Sequence, residues 1–179
     1  MAKPTNPKSA MSAMDKIMSK GMGAAKAAKA AMSGLVGVFS TLAKQHGEVS
    51  ALLERVKRNA DKRADLWPTI KMELLSHEQG EMRVVYPVLR EHVETRELAD
   101  HHDREASELR ETISRIDALA LEDPMWAAQF DQLVDLVKHH VHDEESEIFP
   151  KAQKAIGDDR ARELEPLFLQ AKQQAAHAA

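Results

Sequence analysis

The sequence predicts an all-α protein, an up-down-up-down four-helix bundle with a short extra C-terminal helix and a basic N-terminal tail. Three observations carry that prediction. From Leu35 onward, apolar residues recur at helical spacing and not in the alternation of strands. Breaks rich in Pro, Gly and Asp cut this run into four long segments and a short fifth, joined by short connections that make successive helices antiparallel. With only four Phe, two Trp and one Tyr in 179 residues, Leu, Val, Ile, Met and Ala must fill the core, a composition that favours helix.

Residues 1–34 carry six Lys against Asp15 alone, a net of +5, so the formal total of −4 leaves −9 for residues 35–179. A segment built from Ala, Lys, Met, Gly and Ser predicts a basic, flexible tail. Met11, Met14, Met18 and Met22 are spaced for a short amphipathic helix within it, and its lysines suit nucleic acid or an acidic surface, although such a composition is more often simply disordered. Helices are then expected at 35–58, 67–90, 93–121 and 125–149. Trp67-Pro68 opens the second with proline in its first turn, and Asp123-Pro124 opens the fourth in the same way. Gly157-Asp158 precedes a last helix reaching about residue 175. The organisation expected is a tail over 1–34, a bundle over 35–152 and a C-terminal helix and tail over 153–179.

Several function classes drop out. With no Cys, disulfide scaffolds, thiolate zinc sites, iron–sulfur clusters and cysteine nucleophiles are excluded, so any metal must be held by His and carboxylate. No apolar run reaches the roughly 20 residues of a membrane span, and residues 1–8 lead into no secretory apolar segment, so a cytoplasmic protein is expected. Gly-rich phosphate loops and serine elbows are missing too.

At 100° per residue, Ile70, Leu74, Val84, Val85 and Val88 form the apolar stripe of the second helix, with His77 and Glu81 in its middle. On the fourth helix Phe130, Leu133, Val137 and Ile148 form the stripe, with His140 and Glu144 at its centre. The two helices repeat one pattern at a distance of 63 residues: His77-x-x-x-Glu81 runs into Tyr86-Pro87, and His140-x-x-x-Glu144 runs into Phe149-Pro150. The first and third helices repeat at a distance of 56, Leu42, His46, Val49 and Leu53 matching Leu98, His102, Glu105 and Leu109. This register selects His102, about 20° from its stripe centre, over His101, about 80° away. His139 and His142 fall on the solvated side of the fourth helix.

Four histidines and two glutamates aimed at one small core would be six unpaired polar groups unless they share a metal. The metal candidates are thus His46, His77, Glu81, His102, His140 and Glu144. Imidazole and carboxylate without thiolate suit iron or manganese, with zinc a possible occupant. With two bridging glutamates the set would fill about eight of the twelve positions of two six-coordinate ions. A bridging oxo or hydroxo group would take two more, leaving about two for water, dioxygen or another small ligand. Glu105 could occupy one of these, His101 with Glu105 is a further His-x-x-x-Glu in worse register, and Glu78 could serve as an alternative or outer carboxylate.

His46, the run His77-Glu78-Gln79-Gly80-Glu81 with Tyr86-Pro87, His102, and His140 with Glu144-Glu145 and Ile148-Phe149-Pro150 resemble the hemerythrin-like HHE cation-binding family, in its bacterial-type branch, over about residues 36–152. The resemblance implies a non-heme di-iron site that binds dioxygen or senses oxygen, iron or nitric oxide, with the six residues above as ligands. One departure is visible: oxygen-carrying hemerythrins place a second histidine one turn after the first in the third helix, where this chain has Glu105 or Ala106. Three functions follow as expectations. The first is a di-iron module that binds or senses dioxygen or a related small ligand. The second is a di-iron oxidoreductase acting on peroxide, nitric oxide or dioxygen, and the third a metal-free adaptor working through its basic tail.

Overall fold

The computed structural model describes residues 11–178, and among them every regular element is helical. The helices are α1 (Ala13–Met32), α2 (Gly37–Arg58), α3 (Arg63–Gly80), α4 (Tyr86–Glu91), α5 (Val93–Asp117), α6 (Pro124–Asp143), α7 (Phe149–Ile156) and α8 (Asp158–Ala178). Two wide π turns, Glu81–Val85 and Glu144–Ile148, join α3 to α4 and α6 to α7 as continuous rods. α2 packs on α3 and α6, while α5 packs on α6 and on the α3–α4 rod, so four rods surround a common seam. No helix of the described residues is long and apolar enough to cross a membrane.

The sequence reading needs four corrections. α3 begins at Arg63 after a 3₁₀ turn over Ala60–Lys62, so Pro68 lies inside the helix and not in its first turn. α5 ends at Asp117, short of residue 121. The C-terminal helix is long, 21 residues, and packs on α2 and α3 through Ala161, Leu164, Phe168 and Ala171. The fourth concerns the tail, of which residues 1–10 lie outside the described residues.

Residues 13–32 are not a flexible tail but a helix docked along α2. Ser12 caps it, its hydroxyl oxygen accepting from the Asp15 amide at 3.2 Å. Asp15 is buried against Arg55 Nε at 3.0 Å and Lys62 Nζ at 3.5 Å, and the Ser19 hydroxyl donates to the Glu48 carbonyl at 2.9 Å. Small residues allow the contact: a Cβ on Gly47 would stand 2.6 Å from the Met22 carbonyl oxygen, and one on Gly23 would stand 2.4 Å from Glu48 Cγ. Low-complexity composition reads as disorder when burial is assumed to need large side chains; here close backbone approach replaces them. Met14, Ile17, Met18 and Met22 face outward.

Two apolar clusters occupy the rods. One holds Leu52, Trp67, Ile113, Trp126, Phe130 and Leu133; the other holds Phe39, Leu42, Tyr86, Leu89, Phe149 and Phe168. On each rod the seam residues fall in the sequence interval between the two clusters, except His140, which is flanked by Val137 and Val141 of the first. The polar groups are therefore sealed by apolar packing on both sides.

Candidate metal centre

The π turns position the site. In a uniform helix the Tyr86 amide would bond the carbonyl four residues back; instead it bonds the Glu81 carbonyl, five back, and the Phe149 amide likewise bonds the Glu144 carbonyl. Each turn begins at the seam glutamate and is followed by a proline, Pro87 or Pro150, which has no amide and whose ring would crowd the carbonyl four residues before it. The extra residue shifts the buried stripe beyond it by one. The uniform register predicts Val84, Val85 and Val88 inside; the structure buries Val85, Tyr86 and Leu89 and leaves Val84 and Val88 half-buried.

Seven side chains converge in the seam and all are buried: His46, His77, Glu78, Glu81, His102, His140 and Glu144. They form two overlapping groups whose donor atoms lie within 4.8 Å of one another. His46, His77, Glu81 and Glu144 make the first, and Glu78, Glu81, His102 and His140 the second. Glu81 belongs to both. Glu144 also reaches across, with its oxygens 3.4 Å from His140 Nε2 and 3.7 Å from His102 Nε2.

The outer nitrogens of three histidines are held. His46 Nδ1 lies 3.0 Å from Glu145 Oε1, His77 Nδ1 3.0 Å from Gln45 Oε1, and His140 Nδ1 3.1 Å from Glu105 Oε2. Oxygen acceptors at these positions hold a proton on Nδ1, so each ring turns its Nε2 inward as the atom that can offer a lone pair to a metal. His46 Nε2 and His77 Nε2 are then 3.2 Å apart. Two lone pairs at that distance repel unless a proton or a cation lies between them, and ligands about 2.1 Å from one ion at right angles stand about 3 Å apart. Among the described residues His102 has no hydrogen-bond partner on Nδ1; its ring stacks on Tyr86 with centroids 3.6 Å apart, and the Tyr86 hydroxyl donates to Glu144 Oε1 at 2.6 Å.

Among the described residues, Glu78 Oε2, both Glu81 oxygens, both His102 nitrogens, His140 Nε2 and Glu144 Oε2 are buried without a hydrogen bond. Orphaned donors and acceptors concentrated in one seam are costly by themselves. A divalent ion in each group would use them, so the residues fit the metal that their types suggest. The electrostatics differ between rings. Burial, then His46 and Lys172, push His77 well below the ordinary imidazole value. For His140 burial acts the same way, but Glu144, Glu78 and Glu105 outweigh it and hold the ring well above that value. His46 and His102 are also raised, burial being outweighed by Glu144 and Glu145 at the first and by Glu81 and Glu78 at the second. Burial, then Glu144, lifts the Tyr86 phenol well above its ordinary range.

All six main candidates come together. Of the other three, Glu78 is central, Glu105 lies behind His140, and His101 points outward with 45% of its side chain exposed. The signal for Glu78 was its i,i+3 spacing to Glu81, which places both on one helix face. Gln45, Lys26 and Lys172 carried no such signal. Lys26 of α1 donates to Glu145 at 2.7 Å, and Lys172 of α8 donates to Gln45 at 2.6 Å. His142 and His139 are exposed.

The comparisons agree with this geometry. A protein described as a DNA nickase from Nostoc sp. (strain PCC 7120 / SAG 25.82 / UTEX 2576) is 27% identical over 132 residues, covering 71% of this chain. The chain spans about a third of that relative's length, 36%. No solved structure matches. Residues 37–152 match the hemerythrin HHE cation binding domain, which takes in every buried donor above, and the chain belongs to that family.

Proposed function

We propose that this protein holds a pair of non-heme iron ions and binds or senses dioxygen or a related small ligand there. The observation that supports this best is the set of seven buried donors, five of which carry buried atoms without a hydrogen bond among the described residues. His46, His77, Glu81 and Glu144 would hold one ion and Glu78, Glu81, His102 and His140 the other, within rods following an up-down-up-down course. Iron bound there would supply positions for reversible coordination of a small molecule.

The chain's own residues do the rest. Glu145, Gln45 and Glu105 keep three Nδ1 protons outward and thereby fix the inward lone pairs. A cavity of about 20 Å³ beside His46, His77, Glu78 and His140 is walled by Val49, Leu74, Leu109, Val137 and Val141, space for about one small molecule in apolar surroundings. Tyr86 donates its hydroxyl hydrogen bond to Glu144 and stays protonated at the seam, and turnover of peroxide or nitric oxide would assign it a place in an oxidoreductase.

The test is the visible spectrum of the iron-loaded chain as oxygen is withdrawn and readmitted. A reversible, oxygen-dependent band supports binding; a spectrum indifferent to oxygen, peroxide and nitric oxide contradicts the reading.

Metal-dependent DNA nicking is a second reading, drawn from the relative of that name. One feature favours it: Lys26, Lys29, Lys138 and His142 line a cavity of about 400 Å³, suited to a phosphate backbone. Conversion of supercoiled plasmid to the relaxed form by the metal-loaded chain, abolished by chelator, would support it, and intact plasmid would reject it.

A further inference from the structure

One residue before each inward histidine of α5 and α6 stands an outward one, His101 before His102 and His139 before His140. Each outward histidine faces a carboxylate one turn later, His101 Nε2 at 3.3 Å from Glu105 Oε1 and His139 Nδ1 at 3.4 Å from Asp143 Oδ1. One ligand atom each from His101, Glu105 and Asp143 lies within 4.8 Å of the others. The buried arrangement of imidazole and carboxylate is thus repeated at the surface, on the adjoining face of the same two helices. We propose that His101, Glu105 and Asp143, with His139 beside them, form a third site, for a divalent first-row cation, from which the buried pair is loaded.

Two further observations point inward from this cluster. A cavity of about 300 Å³ is lined by His101, Glu105 and His139 and also by Glu78 and His140 of the buried second group. Glu78, which lines this cavity, is 2% exposed and its Oε2 has no hydrogen-bond partner among the described residues, so the cavity reaches a buried carboxylate with an oxygen left for a cation. Glu105 links the two sites, with Oε1 toward His101 and Oε2 3.1 Å from His140 Nδ1. A cation arriving at the surface meets one imidazole and two carboxylates, a set suited to zinc, manganese or ferrous iron with water completing the shell.

Arg104 opposes this. Its guanidinium lines the same cavity and lies 3.4 Å from His101 Nδ1, a fixed positive charge beside the site and a competitor for the ring. That gives the proposal a variant of opposite sign. Removing donors should weaken cation binding, and removing Arg104 should strengthen it.

Binding at the surface is independent of the function proposed above; the loading role rests on the buried pair taking metal. The experiment titrates zinc into the full chain already loaded with iron, following heat and iron content. One zinc equivalent per chain is expected, weakened on the order of tenfold or more in the H101A/D143N variant and tightened several-fold in Arg104→Gln. The final iron content of all three should match, because neither His101, Asp143 nor Arg104 touches the buried donors' inward atoms. Ferrous iron mixed with the metal-free chain should load several-fold more slowly in H101A/D143N. Zinc binding unchanged in both variants would overturn the site, and equal loading rates would overturn its role. A chain that takes up no buried iron overturns the loading role, while the zinc titration still reads the surface site separately.

Discussion

The two halves of the seam repeat one pattern of residues but differ in what stands behind them. Behind the first, Glu145 and Gln45 hold His46 and His77, and each is in turn held by a lysine from a helix outside residues 37–152: Lys26 of α1 and Lys172 of α8. Behind the second, Glu105 holds His140, none of the described residues hydrogen-bonds His102 Nδ1, and a cavity runs from the surface to Glu78 and His140. The family segment thus supplies the donors, while α1 and α8 close and brace one half only. Ligand or metal should exchange through the second half.

The largest effect expected is from Glu81→Ala. Glu81 is shared by both groups, so metal content should fall from two ions per chain to nearly none, with the helical circular dichroism retained. One ion retained would deny the sharing. Next come His77→Ala and His140→Ala, each of which should leave about one ion per chain on elemental analysis, because each ring belongs to a single group.

Acid should separate the halves. A ring held above the ordinary imidazole value keeps its proton to higher pH and competes with metal there, and both rings of the second group, His102 and His140, are raised. In the first group His46 is raised too, but His77 is lowered well below that value and is free of its proton further into acid, so one ring there competes with metal and not two. Metal in His77→Ala, left with the second group, should therefore be lost at higher pH than metal in His140→Ala. Equilibrium dialysis across the pH range reads this, and the reverse order would contradict it.

Smaller effects test the bracing. Gln45→Leu removes the acceptor behind His77 and should weaken the first ion by about 10–100-fold while sparing the second. Lys172→Met, one contact further out, should do the same more weakly. His142→Ala should change nothing in metal content, since that ring is exposed.

Much of this centre was legible because helical periodicity is a strong signal over long amphipathic rods. It placed His46, His77, Glu81, His102, His140 and Glu144 on one seam and chose His102 over His101. Uniform periodicity also caused its clearest error: it cannot register an extra residue, so the π turn that moves the stripe from Val84 and Val88 to Tyr86 and Leu89 was invisible. The repeated aromatic-Pro pairs were its trace in the sequence. The docking of α1 was missed for another reason, since its contact face includes Ser19, Gly23 and Ala30 and its large apolar side chains point outward. Of the groups behind the histidines, Lys26, Gln45 and Lys172 were beyond reach because they meet the site only through tertiary packing.

The most direct test of the central claim is the metal content of the purified full chain after reconstitution with ferrous iron, measured beside Glu81→Ala. About two ions per chain in the parent and almost none in the variant is the result the shared-carboxylate seam predicts. A folded parent that binds no iron, or a variant that still binds two, would contradict it.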